Sequence, residues 1–155
     1  RSLGHSLEFI NTLCLLARFH DLGKIGIPEH FLFKQGTLTE EEREKMRQHC
    51  EIGHRIASSF PDLKSIADLI LKHHEHWDGT GYPLGLQGEE IPIECRILAV
   101  VDAYDAMTSD RPYRKAMSCE DALSELKRCA GTQFAPGLVE QFIQMMEAFD
   151  WECGK

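Results

Sequence analysis

Six residues of metal-ligating type lie in short clusters along the sequence. They are His20, Asp21, His49, His73, His74 and Asp102. A mixture of imidazoles and carboxylates suits iron, manganese, nickel or zinc better than calcium. Six groups exceed what one tetrahedral ion needs, so the set predicts a two-ion site. Because two ions can stabilise both the attacking and the leaving oxygen of a phosphoester, the pattern indicates a metal-centred hydrolase.

The positions of these residues are consistent with a shared site. Asp21 can bridge two cations through its two oxygens, whereas a neutral imidazole binds one ion at a time. Gly53 follows His49 by one helical turn, where a glycine lets another backbone or a substrate approach closely. Asp102 follows the apolar run 97–101, and a buried carboxylate there would need a cation or hydrogen-bond donors.

Each cluster alone also fits an ordinary structural role. A His-Asp pair commonly makes a hydrogen bond at a helix end, and Asp102 alone could be a satisfied core carboxylate. Taken together, with glycines close by in the sequence, the clusters favour metal binding. The remaining histidines are interpreted as surface or capping residues: His5, His30, His54 and His76.

The composition limits the class of protein. A chain of 155 residues with 43% hydrophobic and 27% charged residues fits one globular domain. A net charge of -8 argues against duplex nucleic acid as a partner, although local cations can still hold a small anionic substrate. No apolar run reaches the roughly 20 residues of a membrane span, and no signal peptide is evident, so we expect a cytoplasmic protein. The six cysteines form no Cys-x-x-Cys pair, and several are interpreted as small buried hydrophobes.

The spacing of apolar residues predicts an all-α fold with short connections. The predicted helices cover residues 3–20, 39–59, 63–75, 93–108, a segment opened by the cap signal at Ser118, and 136–149. Thr39 and Glu42 have the spacing of a capping box, and Gly131 suits a left-handed stop after the fifth helix. Residues 78–92 are rich in glycine and proline, which predicts a long loop after the third helix.

These motifs resemble the HD-GYP domain, a branch of the HD phosphohydrolase superfamily. The matching segments include His20-Asp21-x-Gly23-Lys24, His49-x-x-x-Gly53, His73-His74-Glu75-x-x-Asp78-Gly79-x-Gly81-Tyr82-Pro83 and the block from Asp102 to Arg114. The resemblance extends from about Leu3 to Met146. It implies a compact HD-type helical bundle that forms a single domain over residues 1–155.

The resemblance also implies a function: hydrolysis of cyclic di-GMP, a bacterial second messenger, to linear pGpG and GMP. The six clustered residues would be metal ligands, with Asp21 as the bridge and a metal-bound hydroxide as the nucleophile. Two divalent transition-metal ions are implied, iron or manganese before nickel or zinc. Lys24 matches a lysine that contacts the scissile phosphate, and Tyr82 lies where a ring can stack on guanine. Arg111 and Arg114 match positions that reach phosphate or guanine.

The resemblance implies one kind of protein partner and reveals two departures from the family. The loop Gly79–Pro83 would meet partner proteins of the diguanylate cyclase type. The family's upstream helix, which carries a further metal-binding histidine, has no counterpart in the 19 residues before His20. We therefore expect a domain without that first helix or an upstream regulatory domain: either the sequence is truncated, or a neighbouring chain or water fills one ligand position. Ala135 stands where the family often has an aspartate that caps the last helix.

Two other functions stay open at this level. One is an HD phosphohydrolase that acts on mononucleotides or on a different cyclic dinucleotide. The other is a degenerate domain that binds cyclic di-GMP or a partner protein without turnover.

Overall fold

A computed structural model describes residues 6–34, 36–110 and 115–148 of the chain. All regular secondary structure in these ranges is helical, apart from isolated bridges between Asp78 and Gln87 and between Ala130 and Phe134. The predicted all-α class is confirmed. The chain divides into two compact units, one formed by residues through His74 with Tyr82–Leu84, the other by Glu75–Gly81 and the residues from Gly85 onward. The single domain over residues 1–155 stays a prediction.

The first unit consists of short helices that end at or near the candidate ligands. Its α-helices are α1 (Leu7–Phe19), α2 (Glu29–Leu32), α3 (Glu40–Arg47), α4 (His49–Ser59) and α5 (Ala67–Lys72), with 3₁₀ helices at Leu22–Gly26 and Pro61–Ile66. The hydroxyl of Ser6 caps α1 by accepting from the backbone N–H of Phe9. Thr39 and Glu42 form the predicted capping box at the start of α3.

Residues 39–59 form two helices instead of the single predicted one. The break is at Gln48, whose N–H donates to the carbonyl of Lys45 in a tighter 3₁₀-type turn. The imidazole of the next residue, His49, donates to the carbonyl of Met46, so a side chain takes a bond in the turn where the helix is interrupted. The third predicted helix also differs, because residues 61–66 are 3₁₀ and α5 stops at Lys72.

Two glycines bring the 3₁₀ helix Leu22–Gly26 into backbone contact with α4. A Cβ added to Gly23 would lie 1.8 Å from the carbonyl oxygen of His49, and a Cβ added to Gly53 would lie 2.8 Å from Cγ2 of Ile70 and 3.2 Å from the nitrogen of Gly23. The close approach predicted at Gly53 is therefore confirmed, and the approaching groups are the side chain of Ile70 and the backbone of Gly23. Around this contact the unit buries apolar side chains, including Leu16, Ile66 and Ile70.

The second unit contains the glycine- and proline-rich loop and three longer helices. These are α6 (Ile93–Thr108), α7 (Cys119–Arg128) and α8 (Pro136–Ala148), with a 3₁₀ turn at Gly88–Glu90. They enclose a core of Val100, Tyr104, Ala122, Leu126, Phe134 and Val139. The cap at Ser118 and the positive φ of Gly131 (86°) agree with the sequence prediction.

The loop after the candidate ligands is tied into the second unit by backbone hydrogen bonds. The N–H of Asp78 donates to the carbonyl of Thr132 at 2.9 Å, and the N–H of Gly88 donates to that of Trp77 at 2.9 Å. The buried carboxylate of Glu75 accepts from the N–H of Leu86. Among the helices of the described ranges, none has both the length and the apolar character that a membrane span requires.

Candidate metal centre

Three histidines of the first unit are oriented by the same kind of side-chain to backbone hydrogen bond. Each donates from ring Nδ1 to the backbone carbonyl three residues earlier, at 2.6–3.0 Å. The pairs are His20 with Ala17, His49 with Met46, and His73 with Ile70. Because a carbonyl can only accept, Nδ1 carries the proton and Nε2 presents its lone pair. This is the tautomer that a metal-ligating histidine adopts when a carbonyl orients its ring.

The acceptor atoms of these residues converge on one region. Nε2 of His49 lies 3.4 Å from Nε2 of His73 and 3.7 Å from Oδ1 of Asp21. Nε2 of His20 lies 3.5 Å from the other oxygen of that carboxylate. Oδ1 of Asp21 is buried and has no hydrogen-bond partner among the described residues. The two imidazole acceptors face each other, and the group near Nε2 of His49 that can donate is the weakly donating thiol of Cys50 at 3.6 Å. A cation between these acceptors and the carboxylate oxygen would relieve their repulsion, so this group fits a metal ion.

The protonation states suit a metal centre. Burial lowers the pKa of His73 to about 4 and that of His74 to about 2, and burial also lowers the pKa of His49. These imidazoles are therefore neutral near pH 7, as metal binding requires. Burial alone would raise the pKa of Asp21, but the hydrogen bond and the charge of Lys24 outweigh it, and the pKa is lowered.

Lys24 supplies a cation at the edge of the cluster. Its ammonium donates to Oδ2 of Asp21 at 2.5 Å, and its side chain is 43% exposed. The lysine and the aspartate are three residues apart on the chain, and the 3₁₀ helix that begins at Leu22 brings them together. A half-exposed ammonium next to a metal site can reach an anionic ligand that enters from solvent.

The ring of His74 contacts His73 in the cluster, and the ring of Tyr82 stacks on His74. The ring centroids of His73 and His74 are 4.0 Å apart, and Tyr82 stacks on His74 at 4.9 Å. Burial raises the pKa of the Tyr82 phenol, so it stays protonated. One face of the Tyr82 ring is thus occupied by His74, and guanine would have to use the other. The guanidinium of Arg47, a residue that the sequence analysis did not single out, lies 5.2 Å from the centre of this ring.

Cys50 is a residue of metal-ligating type that the sequence analysis did not single out. Its Sγ lies 3.6 Å from Nε2 of His49, and its side chain is fully buried. One ligand atom from each of four residues falls within 4.8 Å of the others: His49, Cys50, His73 and His74. The only signal in the sequence was its adjacency to His49, and neighbours on a helix ordinarily point about 100° apart.

Asp102 is the predicted ligand of the second unit. It lies on α6 and its side chain is exposed, so the expectation of a buried carboxylate is wrong. Val100 and Tyr104, which belong to the core of this unit, lie on the opposite side of α6, whereas the buried Cys95 and Leu98 precede residue 102 by seven and four residues and share its face. Arg111 and Arg114 lie outside the described residues, as does His5. The assignments of Asp102, Arg111 and Arg114 stay predictions.

Two of the other histidines make hydrogen bonds to residues outside the cluster. His54 lies 3.1 Å from a carboxylate oxygen of Asp68, and His76 lies 3.2 Å from the hydroxyl of Thr80. Neither belongs to the group that could hold a metal.

Comparisons with known proteins identify the family of the chain. The profile described as "HD domain" matches residues 3–138. A cyclic di-GMP phosphodiesterase of Thermotoga maritima is 46% identical over 145 residues, covering 92% of this chain and 39% of the relative. A cyclic di-GMP phosphodiesterase response regulator of Xanthomonas campestris pv. campestris is 40% identical over 155 residues, covering 99% and 41%. A 3'3'-cGAMP-specific phosphodiesterase of Vibrio cholerae serotype O1 is 39% identical over 132 residues, covering 84% and 25%.

A solved structure shares the fold. The crystal structure of a cyclic GMP-AMP-specific phosphodiesterase of V. cholerae superposes with a TM-score of 0.71 at 23% identity, over 94% of this chain and 40% of that one. The chain spans about two fifths of the length of the first two relatives. The profile match, the ligand motifs and the helical fold together show that the chain belongs to the HD domain family, in its HD-GYP branch.

Proposed function

We propose that this chain is a metal-dependent phosphodiesterase that hydrolyses cyclic di-GMP to pGpG, GMP or both. The observation that carries the proposal is the group of facing acceptors formed by Nε2 of His49, Nε2 of His73 and the unpartnered Oδ1 of Asp21. Relatives at 40–46% identity that bear the name cyclic di-GMP phosphodiesterase support the choice of substrate.

The metal would be held by the acceptors of the first unit. Our proposal is two divalent transition-metal ions, iron or manganese before nickel or zinc, bound by His20, Asp21, His49, His73 and His74. Asp102 is kept as a sixth ligand from the family resemblance alone. When bound, such ions supply Lewis-acid stabilisation of phosphoryl oxygens and an activated water. Asp21 has one oxygen toward His20 and the other toward His49, an arrangement that suits a bridging carboxylate.

Lys24 would bind the scissile phosphate. Its ammonium donates a hydrogen bond to Asp21. With Asp21 holding a metal ion, the ammonium would contact a phosphoryl oxygen and offset the charge that develops there. Tyr82, Arg111 and Arg114 are proposed to hold the guanine bases and the outer phosphate groups.

A second candidate substrate is another cyclic dinucleotide. The observation that favours it is the 39% identity to a relative named as specific for 3'3'-cGAMP. The catalytic step would be the same, because both substrates carry the same kind of phosphodiester. A partner of the diguanylate cyclase type at Gly79–Pro83 and a cytoplasmic location stay predictions.

A substrate comparison tests the proposal. The metal-free protein is reconstituted anaerobically with iron(II) or manganese(II), incubated separately with cyclic di-GMP and 3'3'-cGAMP, and analysed by chromatography. Metal-dependent release of pGpG or GMP from cyclic di-GMP supports the proposal. Preferential cleavage of 3'3'-cGAMP would favour the second substrate. Binding of either nucleotide without any product would point to the non-catalytic module instead.

A further inference from the structure

The cluster includes the thiol of Cys50, a strong metal-binding group. Neither the family resemblance nor the proposed mechanism assigns a role to this thiol. It is fully buried on the first turn of α4, in the helix that also carries His49. A buried cysteine is most often a small hydrophobe. Here the sulfur instead lies among the ligand atoms of three histidines.

Two measured separations in this group, one of them to the sulfur, match the edges of a metal coordination shell. A tetrahedral ion with nitrogen at about 2.05 Å and sulfur at about 2.3 Å separates two nitrogens by about 3.3 Å and nitrogen from sulfur by about 3.6 Å. The observed separations are 3.4 Å between the Nε2 atoms of His49 and His73, and 3.6 Å between Nε2 of His49 and Sγ of Cys50. The protein thus holds these atoms at ligand spacing.

Two further observations show that the same region contains buried acceptors that a cation could bind. Nε2 of His73 is an acceptor on a side chain that is only 5% exposed, and it faces another acceptor. Oδ1 of Asp21 is buried without a hydrogen-bond partner among the described residues, 3.7 Å from Nε2 of His49. The sulfur therefore does not stand alone as a candidate ligand.

We infer that Cys50 is a thiolate ligand of the ion that His49 and His73 bind, and that this position takes zinc or iron(II) in preference to manganese. The inference rests on the proposed metal centre and, for this position, places zinc before manganese, the reverse of the order that the family resemblance implies. Thiolate ligands select zinc and iron, whereas manganese prefers oxygen ligands. Binding forms one metal–sulfur bond and releases the thiol proton to solvent.

Cobalt(II) is the probe that tests the inference, since it replaces zinc and iron(II) in such sites and is coloured. Metal-free protein is titrated with cobalt(II) and followed in the visible range, where cobalt d–d bands report binding, and in the near ultraviolet, where a sulfur-to-cobalt charge-transfer band reports a thiolate ligand. The expected result is both bands in the unmodified protein. In Cys50→Ser and Cys50→Ala the charge-transfer band is lost while the d–d bands persist. Cobalt affinity should fall at least about tenfold, the lower limit typical even for outer-shell partners.

The control is Cys14→Ser, which removes an exposed thiol of the first unit and should keep both bands. Using both serine and alanine at position 50 guards against a variant that fails to fold, which circular dichroism would show. A charge-transfer band that survives in both Cys50 variants, or d–d bands without a charge-transfer band in the unmodified protein, would overturn the inference. So would the absence of any cobalt binding.

A turnover assay on the same samples separates this inference from the proposed function. A charge-transfer band without cleavage of cyclic di-GMP or 3'3'-cGAMP in the iron(II) protein would leave the thiolate ligand established and the proposed function refuted. Cleavage with d–d bands but no charge-transfer band would support the proposed function and refute the thiolate ligand. Competition between zinc and manganese(II) then tests the preference, because Cys50→Ser should reduce the selectivity for zinc.

Discussion

At the scale of single residues, the candidate metal centre consists of hydrogen-bond acceptors that have few donors. His49 and His73 point lone pairs at each other, and Asp21 adds a buried oxygen without a hydrogen-bond partner in the described part of the chain. Such an arrangement costs stability in the metal-free protein and is relieved by a cation. The same grouping of acceptors therefore accounts for both the proposed metal binding and the shortage of hydrogen-bond donors at these side chains.

Asp21→Asn tests the bridging role. The amide keeps the size of the side chain but offers one oxygen and no charge, so metal content should fall by one ion or more per chain and turnover should drop by at least about 10²-fold. Metal analysis after dialysis measures the first effect and chromatography of the product the second. Asp62→Asn, at an exposed aspartate of the same unit, should change neither. Full metal content in Asp21→Asn would refute the bridge.

Lys24→Gln separates metal binding from phosphate binding. The variant should keep its metals and slow hydrolysis by about 10²-fold, the loss typical of one transition-state donor. Its free energy of unfolding should fall by no more than about 1 kcal/mol, because the Lys24–Asp21 pair is partly exposed and screened by solvent. Lys64→Gln, at an exposed lysine of the same unit, is the control. Turnover at the unmodified rate in Lys24→Gln would show that Lys24 only orients Asp21.

The buried histidines predict how the metal-free protein responds to acid. Burial lowers the pKa of His73 from 6.5 to about 4. Between these two values the unfolded chain binds more protons than the folded one, so the free energy of unfolding decreases as the pH falls through this window. Protonation of His73 is expected to lower the free energy of unfolding by on the order of 3 kcal/mol, and this loss is complete below pH 4.

Urea unfolding at several pH values between 7 and 4 measures this effect in protein kept free of metal by a chelator. His73→Gln should reduce the dependence on pH, while His54→Gln, at a histidine that pairs with Asp68 outside the cluster, should leave it intact. A free energy of unfolding for the unmodified protein that stays constant across this range would contradict the buried, neutral state of His73.

At the scale of elements, the proposed ligands of the first unit lie at or next to helix ends. His20 follows α1, His49 starts α4 after the break at Gln48, and His73 follows α5. A residue at a helix end can bond its ring to a carbonyl of the last turn and direct the other nitrogen away from the helix axis. The contact between Gly23 and Gly53 then holds the 3₁₀ helix with Lys24 against the helix with His49.

Gly53→Ala tests this packing. The new methyl group would lie 2.8 Å from Cγ2 of Ile70, so we expect a loss of about 1–3 kcal/mol in the free energy of unfolding from overpacking. Gly23→Ala should be worse, because its methyl group would meet the backbone of His49, which has no room to move. Gly137→Ala is the matched control, since its methyl group meets nothing within 4 Å and alanine is favoured in a helix by up to about 1 kcal/mol. Urea unfolding measures all three, and equal stability of Gly53→Ala and Gly137→Ala would contradict the close packing.

At the scale of the whole molecule, local patterns predict the helices and tertiary packing decides the details of the site. The capping box at Thr39, the cap at Ser118 and the helix beginning at Pro136 were all readable from the sequence because each depends on neighbours a few residues away. The ligand pairs were readable because their residue types are rarely grouped by chance. Their convergence in the first unit required the structure.

The features that the sequence did not predict depend on distant contacts. The helix break at Gln48 arises where His49 turns inward, the sulfur of Cys50 is directed by the packing of α4, and Arg47 meets Tyr82 from another part of the chain. Asp102 was expected to be buried because its neighbours are apolar, but the helical period turns it away from the core of its own unit. A period of 3.6 residues counted from Val100 places residue 102 on the opposite face of α6, whereas the same period counted from Leu98 places it on the face of that buried residue.

The most direct measurement of the central claim is the rate of cyclic di-GMP cleavage as a function of iron(II) added anaerobically to the metal-free protein. The account predicts no linear product without metal, and a rate that rises and saturates at about two equivalents of iron per chain. Asp21→Asn, measured beside it, should give little or no product at any iron concentration. Cleavage in the presence of excess chelator, or no cleavage of cyclic di-GMP by fully loaded protein, would contradict the account.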